Sequence, residues 1–480
     1  MEVEEWLAGR AERMIETHCA WVFLTGDTAW KVKKPVDLGY LDFVALERRR
    51  WALDRELAFN RAAAPDIYRA VRRITREGEA FAFDGEGETV EYALEMRRFD
   101  DAAVLDHCPH ALDGTLAEAL GRTIARLHAK APVTPRGGGA QMLGYTVTSN
   151  AAHLRRTGLE VEALIAATDA ALAAVAPLLD ERAGEGFARR CHGDLHLGNI
   201  LLENGRPVLF DCIEFNDRLS EIDVLYDLAF LLMDLDFRSR RDAAVRVLGG
   251  WLDEAARTFP ESLWEGLAAL PLMMSVRAAV RCHVRMQAGD EASARAYLAA
   301  AMAHLSPEPP VLRAVGGLSG SGKSTFAREL APLVGPAPGA VILRSDEIRK
   351  RLWGAAPTDK LPPNAYAAGE SDRVYGVMLQ EAQDCLLAGR AVVLDAVFLR
   401  PEERAAAQEL ATHCGVPFKG VWLEAPEDVL TTRIAARSGD ASDADAAVLN
   451  AQLTQDPGPL NWRRFDARED FAALARRLSD

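Results

Sequence analysis

The sequence predicts two modules in one chain of 480 residues. The first is of α+β type, a small β-rich lobe ahead of a larger helical one; the second is α/β, built on a doubly wound parallel sheet. Three observations carry that prediction. Residues 20–100 read as strands around one helix, whereas the chain from Ala111 onward is helical for long spans. Ser306-Pro307-Glu308-Pro309-Pro310 then stops an Ala-rich helix, because its prolines cannot continue one. Directly after the break, a buried-strand pattern runs into a glycine-rich loop and a helix. The predicted boundaries are 1–305 for the first module (lobes about 1–98 and 99–305), 306–310 for a linker and 311–480 for the second module.

Composition bounds the classes open to the chain. Hydrophobic residues make up 49% and charged residues 26%, which is the range of folded globular proteins and excludes a disordered or fibrous chain. The net charge is −15, so a general nucleic-acid or anionic-membrane binder is excluded and any such role must rest on a local patch. Basic residues number 36 against 47 acidic before residue 306 and 20 against 24 after it. Seven cysteines without a C-x-x-C pair fit reduced thiols, and the acidic, amphipathic N-terminus is no secretory signal. No uncharged apolar run approaches the roughly 20 residues that span a bilayer; Val224–Leu235 is short and contains Asp227 and Asp234. A cytoplasmic location is expected.

In the small lobe, residues 21–24 and 29–32 flank a turn at Thr25-Gly26-Asp27 and read as a hairpin. A helix is expected over about 46–63, then strands around 67–75, 79–84 and 89–96. In the large lobe a strand pair near 200–211 interrupts the helices. That pair follows the strongest local signal of the first module, His192-Gly193-Asp194-Leu195-His196-Leu197-Gly198-Asn199, and leads into Asp211. Phosphoryl transfer needs a carboxylate to accept or orient the proton of the attacking hydroxyl. It also needs a second carboxylate and an amide oxygen to hold Mg²⁺ against nucleotide phosphates. The spacing H-x-D-x-x-x-x-N followed by Asp supplies those groups: Asp194 as base, Asn199 and Asp211 as metal ligands.

This stretch resembles the aminoglycoside phosphotransferases and choline-kinase-like enzymes, whose catalytic loop reads H-G-D-x-x-x-x-N. Gly121–His128 looks like that family's helix before the catalytic region, and Glu221–Ala229 like its segment after the metal aspartate. The resemblance spans roughly residues 20–300 and implies a bilobal, protein-kinase-like fold. It further implies a strand lysine bridging the α/β-phosphates and a helix glutamate. Ala29-Trp30-Lys31 matches that A-x-K, with Lys33 and Lys34 as close rivals; Lys31 and Lys33 share a strand face. Glu56 is the chosen partner, with Glu47 as runner-up, and the adenine hinge is placed near Met96 to Arg98. The glycine-rich loop of protein kinases is absent; only Gly26 stands in the corresponding turn.

In the second module, Val311-Leu312-Arg313-Ala314-Val315-Gly316 reads as a buried strand. Gly317-Leu318-Ser319-Gly320-Ser321-Gly322-Lys323-Ser324-Thr325 follows and opens a helix. This is G-x-x-x-x-G-K-[ST] in its strand–helix context: backbone N–H groups cradle phosphate, Lys323 reaches the β/γ-phosphates and Ser324 binds Mg²⁺. The cradle comprises Gly317, Ser319, Gly320, Ser321, Gly322, Lys323, Ser324 and Thr325. Val341–Asp346 places an acid at the end of the second strand, on the active-site side of such a sheet. Ser345-Asp346-Glu347-Ile348-Arg349 resembles the S-D-x-x-R element of polynucleotide-kinase-like, zeta-toxin-like and gluconate-kinase-like P-loop kinases. The resemblance makes Asp346 the group that orients or deprotonates the acceptor hydroxyl and Arg349 a substrate grip. Ala391–Asp395 is a second strand ending in acid, with Asp395 a candidate for Mg²⁺ through water. Arg433 and Arg437, four apart on one helix face, look like lid arginines of this group.

Together the modules resemble a group of bacterial fused proteins that join an aminoglycoside-phosphotransferase-like domain to a P-loop kinase. The reading they support is a bifunctional phosphotransferase dependent on ATP (or GTP) and Mg²⁺, acting on hydroxyls of amino-sugar, aminoglycoside-like, sugar-like or nucleotide-like small molecules. Two alternatives stand beside it: one module catalytic with the other an ATP-binding switch, or a nucleic-acid end kinase or toxin-like kinase through the P-loop module. Against the last are that module's acidic balance and the lack of an aromatic-interleaved basic stripe, although Arg344, Arg349, Lys350 and Arg351 cluster locally. No membrane partner is expected, and the oligomeric state is left open.

Overall fold

The computed structural model describes residues 2–37, 41–134, 139–436 and 441–479. The chain folds as two compact units: Met1–Leu112, Ala131–Gly138 and Ala188–Asp227 form the first, and Asp113–Lys130, Gly139–Phe187 and Leu228–Asp480 the second.

The first unit is built on a six-stranded antiparallel sheet. Its strands are β1 (Arg13–Glu16), β2 (Ala20–Thr25), β3 (Thr28–Lys33), β4 (Tyr68–Glu77), β5 (Ala80–Phe83) and β6 (Glu88–Arg97), in the order β1-β2-β3-β6-β4-β5. Hairpin β2–β3 turns at Gly26, whose φ of +53° suits a glycine. Helix Val3–Ala8 and edge strand β1 add to the elements read from sequence. Helix Leu46–Asn60 packs Leu53 into a core with Ile67, Leu94 and Leu201. It ends three residues earlier than expected. Pro65 cannot continue it, and the Asn60 amide turns back to donate to Glu56 O at 2.9 Å. Strands β7 (Ala188–Arg190) and β10 (Glu221–Asp223) pair antiparallel, as do β8 (Ile200–Glu203) and β9 (Arg206–Leu209). Asn204-Gly205, both at positive φ, turns the latter hairpin.

In the second unit, helices Gly114–Lys130 and Arg241–Ala255 cross in close contact. A Cβ on Gly121 would stand 2.1 Å from Val247 O and one on Gly250 2.4 Å from Glu118 O, so only glycine permits the approach. A five-stranded parallel sheet follows: β11 (Leu312–Gly317), β12 (Val341–Arg344), β13 (Val392–Asp395), β14 (Phe418–Glu424) and β15 (Arg463–Asp466), in the order β12-β13-β11-β14-β15. Helices Lys323–Leu330 and Phe471–Leu478 pack Phe326 and Leu474 against Val315, Val393 and Val421 of this sheet, and Val245 from helix Arg241–Ala255 joins the same core. Among the described residues, Glu162–Gly184 and Glu261–Gln287 are helical stretches long and apolar enough to cross a membrane. The second is 78% buried within the protein and the first 22%.

Candidate active sites

Alternation along β3 puts Lys31 and Lys33 on one face of the sheet, and the helix opposite supplies one buried carboxylate to both. Lys31 Nζ stands 2.6 Å from Glu56 Oε1, and Lys33 Nζ 2.7 Å from Glu56 Oε2. Glu47, the rival of Glu56, lies exposed in the first turn of the same helix. Lys31 also reaches Asp211 Oδ1 at 2.8 Å, and Lys33 reaches Glu214 Oε1 at 2.6 Å. Burial works against the charge of Lys31, but Asp211 and Glu56 outweigh it and hold its pKa well above the ordinary lysine value. For Asp211, burial pushes upward and Lys31 pulls further the other way, leaving the carboxyl below the usual aspartate range.

Asp211 has φ of +60°, an uncommon conformation that Asp tolerates better than most residues. Two bonds from outside the loop hold the chain there: Asp211 N donates to Tyr68 Oη at 3.0 Å, and Cys212 N to Asn60 Oδ1 at 3.0 Å. On the facing loop, Asn199 Nδ2 donates to Asp194 Oδ2 at 3.0 Å and to Asp194 O at 2.8 Å. With its nitrogen so committed, the Asn199 oxygen is the atom available to a cation. His196 Nε2 lies 3.4 Å from Asp194 Oδ2. His192 is half-buried, and its loss of hydration pushes its pKa down; one ring nitrogen meets Phe210 O at 2.9 Å.

Asp227 anchors this loop from behind. Its Oδ1 accepts from Gly193 N at 2.7 Å and its Oδ2 from His192 N at 3.2 Å. Sequence reasoning gave it no role, although the signal was there: an acid in an otherwise apolar helical run, fully buried here. Glu214 was missed for want of any motif. Of the hinge candidates, Met96 is buried on β6, while Arg98 is tied to the β2–β3 turn through Gly26 O at 3.2 Å and to Glu12 at 2.6 Å. Lys34 pairs instead with Glu16.

In the second unit the P-loop wraps between β11 and helix Lys323–Leu330. Gly317, Gly320 and Gly322 all have positive φ, and a Cβ on Gly317 would meet Leu423 O at 2.5 Å, so the concave loop needs glycine there. Ser321 Oγ is buried inside the loop without a hydrogen-bond partner, and Ser319 N donates to Gln452 Oε1 at 2.9 Å. Lys323 Nζ donates to the loop's own Leu318 O at 3.0 Å. A glycine cradle, an orphaned hydroxyl, a lysine and a serine followed by an acid on the next strand suit a phosphate and its divalent cation.

A cleft of about 950 Å³ opens over this loop. Gly320, Gly322, Lys323, Ser324 and Thr325 line it together with Asp346, Arg349, Asp395 and Arg433. Asp346 departs from the expected position: it lies not on the strand but in the first turn of helix Ser345–Leu352. β12 ends at Arg344, and the S-D-x-x-R element is helical from its serine onward. Arg349 donates to Ala365 O at 2.6 Å, and Arg433 to Ala467 O at 2.9 Å. Arg349 Nε and Arg433 Nη1 have no partner. Arg437 lies outside the described residues.

Residues 43–270 match the model of the phosphotransferase enzyme family, and residues 312–456 that of an AAA domain. The uncharacterized protein Rv2004c of Mycobacterium tuberculosis is 32% identical over 454 residues, 91% of this chain and 88% of its own length. The uncharacterized protein Mb2027c of Mycobacterium bovis matches to the same extent. Among solved structures, a choline/ethanolamine kinase family protein from Mesorhizobium loti is 14% identical with a TM-score of 0.38, covering 62% of this chain and 90% of that one. A gluconokinase from Sinorhizobium meliloti is 24% identical with a TM-score of 0.25, covering 35% and 89%. The chain belongs to the same family as the two mycobacterial proteins, and it joins a part that matches the phosphotransferase enzyme family to a P-loop part that matches an AAA domain.

Proposed function

We propose that the protein is a bifunctional phosphotransferase. Its first module, 1–305, and its second, 311–480, each move the γ-phosphoryl group of Mg²⁺-bound ATP to a hydroxyl of a small molecule. The observation that carries the reading is the presence of two separate, internally complete constellations. One gathers Lys31, Glu56 and Asp211, with Asp194 and Asn199 hydrogen-bonded to each other; the other places Lys323, Ser324, Asp346 and Asp395 around one cleft. In the first, Lys31 binds phosphate, Asn199 and Asp211 hold the metal, and Asp194 takes or orients the acceptor proton. In the second, Lys323 and the loop N–H groups bind phosphate, Ser324 and Asp395 hold the metal, and Asp346 faces the acceptor gripped by Arg349. Bound Mg²⁺ supplies charge neutralisation across the phosphates in both. Seven free cysteines accord with a reducing, cytoplasmic setting.

The test is a mass-spectrometric screen with Mg-ATP and Mg-GTP against amino sugars, aminoglycosides, sugars, nucleosides and oligonucleotides. Wild type, Asp194→Ala and Lys323→Ala are compared. A product heavier by one phosphoryl group and absent only with Asp194→Ala assigns its acceptor to the first site; one absent only with Lys323→Ala assigns it to the second. Loss of both products in either folded variant sinks the picture of two independent kinases. Phosphorylation of oligonucleotide ends alone turns the second site into an end kinase.

A further inference from the structure

The pair expected to hold the metal in the P-loop site is already bridged by a cation of the protein itself. Arg344, the last residue of β12, places Nη2 3.1 Å from Ser324 Oγ and Nε 3.2 Å from Asp395 Oδ2. Arg344 and Asp395 are both buried. A divalent cation on Ser324, met by Asp395 through water, would repel this guanidinium and compete with it for both acceptors. Arg344 has a third contact that survives such an exchange: Nη1 lies 3.1 Å from Glu347 Oε1, one helical turn on.

Glu347 is not held by the P-loop module alone. The same Oε1 lies 3.1 Å from Arg122 Nη2, and Arg122 is in turn paired with Asp253. Arg122 and Asp253 come from the two closely crossed helices Gly114–Lys130 and Arg241–Ala255. Both fall within residues 43–270, the part matched by the phosphotransferase family, while Ser324, Arg344, Glu347 and Asp395 fall within 312–456. The crossing is fastened to the P-loop fold nearby: Glu118 Oε1 accepts from Arg246 and from Arg328 of the P-loop helix, each at 3.1 Å, and Arg257 donates to Ala355 O at 2.8 Å.

We propose that Arg344 is a resident counter-cation of the P-loop metal pair, that Glu347 is the seat it retains when metal enters, and that Arg122 and Asp253 of the phosphotransferase part set how firmly that seat holds. The inference rests on the reading that the P-loop site takes a metal-bound nucleotide. It carries a sign. Arg122 competes with Arg344 for Glu347, and Asp253 moderates the competition by neutralising Arg122. Removing the Asp253 charge strengthens the hold of Arg122 on Glu347, commits Arg344 to Ser324 and Asp395, and disfavours metal. Removing the Arg122 charge does the reverse. Glu347 and Asp253 are thus positioning residues for a site that neither of them touches.

The experiment titrates a fluorescent ATP analogue into the full-length protein at a series of Mg²⁺ concentrations, with Lys323→Ala defining the share of binding that belongs to the P-loop. Glu347→Gln and Asp253→Asn are expected to raise the Mg²⁺ concentration for half-maximal P-loop binding about three- to tenfold, and Arg122→Gln to lower it. A merely structural role for the cluster would move all three in the same direction, and that result overturns the proposal. So does a shift of less than about twofold in every variant. Should Asp253→Asn fail to fold, the charge-balanced double variant Arg122→Gln/Asp253→Asn replaces it; a raised Mg²⁺ requirement there overturns the proposal and a lowered one supports it. If wild type and Lys323→Ala bind the analogue equally, the nucleotide reading of the P-loop fails, and the inference with it. That outcome is distinct from a P-loop that binds nucleotide without responding to the relay.

Discussion

The lysine of the first site reaches its metal-candidate carboxylate directly, 2.8 Å from Asp211, whereas the lysine of the P-loop donates to its own loop at Leu318 O and Arg344 stands 3.2 Å from Asp395. In both places a cation of the protein balances an acid that a metal would otherwise meet. The difference is what happens to that cation when substrate arrives. In the proposed mechanism Lys31 binds phosphate itself, so a single movement would bring it to the nucleotide and release Asp211. The proposed mechanism gives Arg344 no phosphate, so it needs a second acceptor, which Glu347 provides. A site whose counter-cation is also its phosphate ligand can be built from one motif. A site that uses a separate counter-cation draws on residues outside the motif, here from helices more than 60 positions upstream of the loop.

The largest effects test this contrast at the acids themselves. Asp211→Ala removes the proposed metal ligand and the partner of Lys31 together, and should slow transfer at the first site by about 10³-fold or more. Asp395→Asn leaves a side chain of the same size and should cost the P-loop site about 10- to 100-fold, because Asp395 is expected to meet metal only through water. Single-turnover rates on the acceptors found in the screen measure both. Equal losses at the two sites would break the comparison.

A smaller effect is expected in stability. Lys33 is fully buried between Glu56 and Glu214. Lys33→Met strands the Glu214 carboxyl, and breaking such a pair costs about 3 kcal/mol. The double variant Lys33→Met/Glu214→Leu replaces the pair by apolar groups and should recover most of that, since Glu56 keeps Lys31. Urea midpoints read both variants. If the double variant is no more stable than the single one, the buried charges contribute more than their mutual pairing explains.

The sequence reading reached furthest where chemistry imposes a spacing. The H-G-D loop, the A-x-K strand and the P-loop each lie on a continuous stretch, and their folds follow from a strand, a turn and a helix in order. Pairs that form across folded space left no such trace. Glu56 and Glu47 both lie on the helix Leu46–Asn60, and only the three-dimensional packing separates the buried one from the exposed one. Asp346 lies two residues beyond the end of β12 rather than on it, because β12 and the helix Ser345–Leu352 meet without an intervening loop. Arg344 read as one of a basic cluster; its contact with Ser324 depends on β12 lying beside β13, a neighbourhood set by sheet order. Arg122 and Asp253 sit in segments whose pattern announces only helix.

The smallest effect concerns acids that the second unit holds in excess. Arg351 pairs with both Glu381 and Asp253, so its charge remains compensated if Glu381 is lost. Burial pushes the Glu381 carboxyl up from the ordinary 4.5 to about 7, against the pull of Arg351. A carboxyl whose pKa is raised on folding binds its proton more tightly in the folded state. Its contribution to stability is therefore complete below about pH 4.5 and is lost as pH rises through about 7. Glu381→Gln is uncharged at every pH, so it should match wild type near pH 5 and exceed it by about 1–3 kcal/mol at pH 8. Half-buried His283 and buried His304, both pushed down to about 4, impose the opposite slope as pH falls, but they are common to both proteins and cancel in the difference. Melting temperatures across pH 5–8 make the comparison. A variant less stable than wild type at pH 8 would mean that the Arg351 ion pair outweighs burial. The network around Asp253 would then be as fully balanced as the lysine–carboxylate chain of the first site, and the contrast between the two would rest on Arg344 alone.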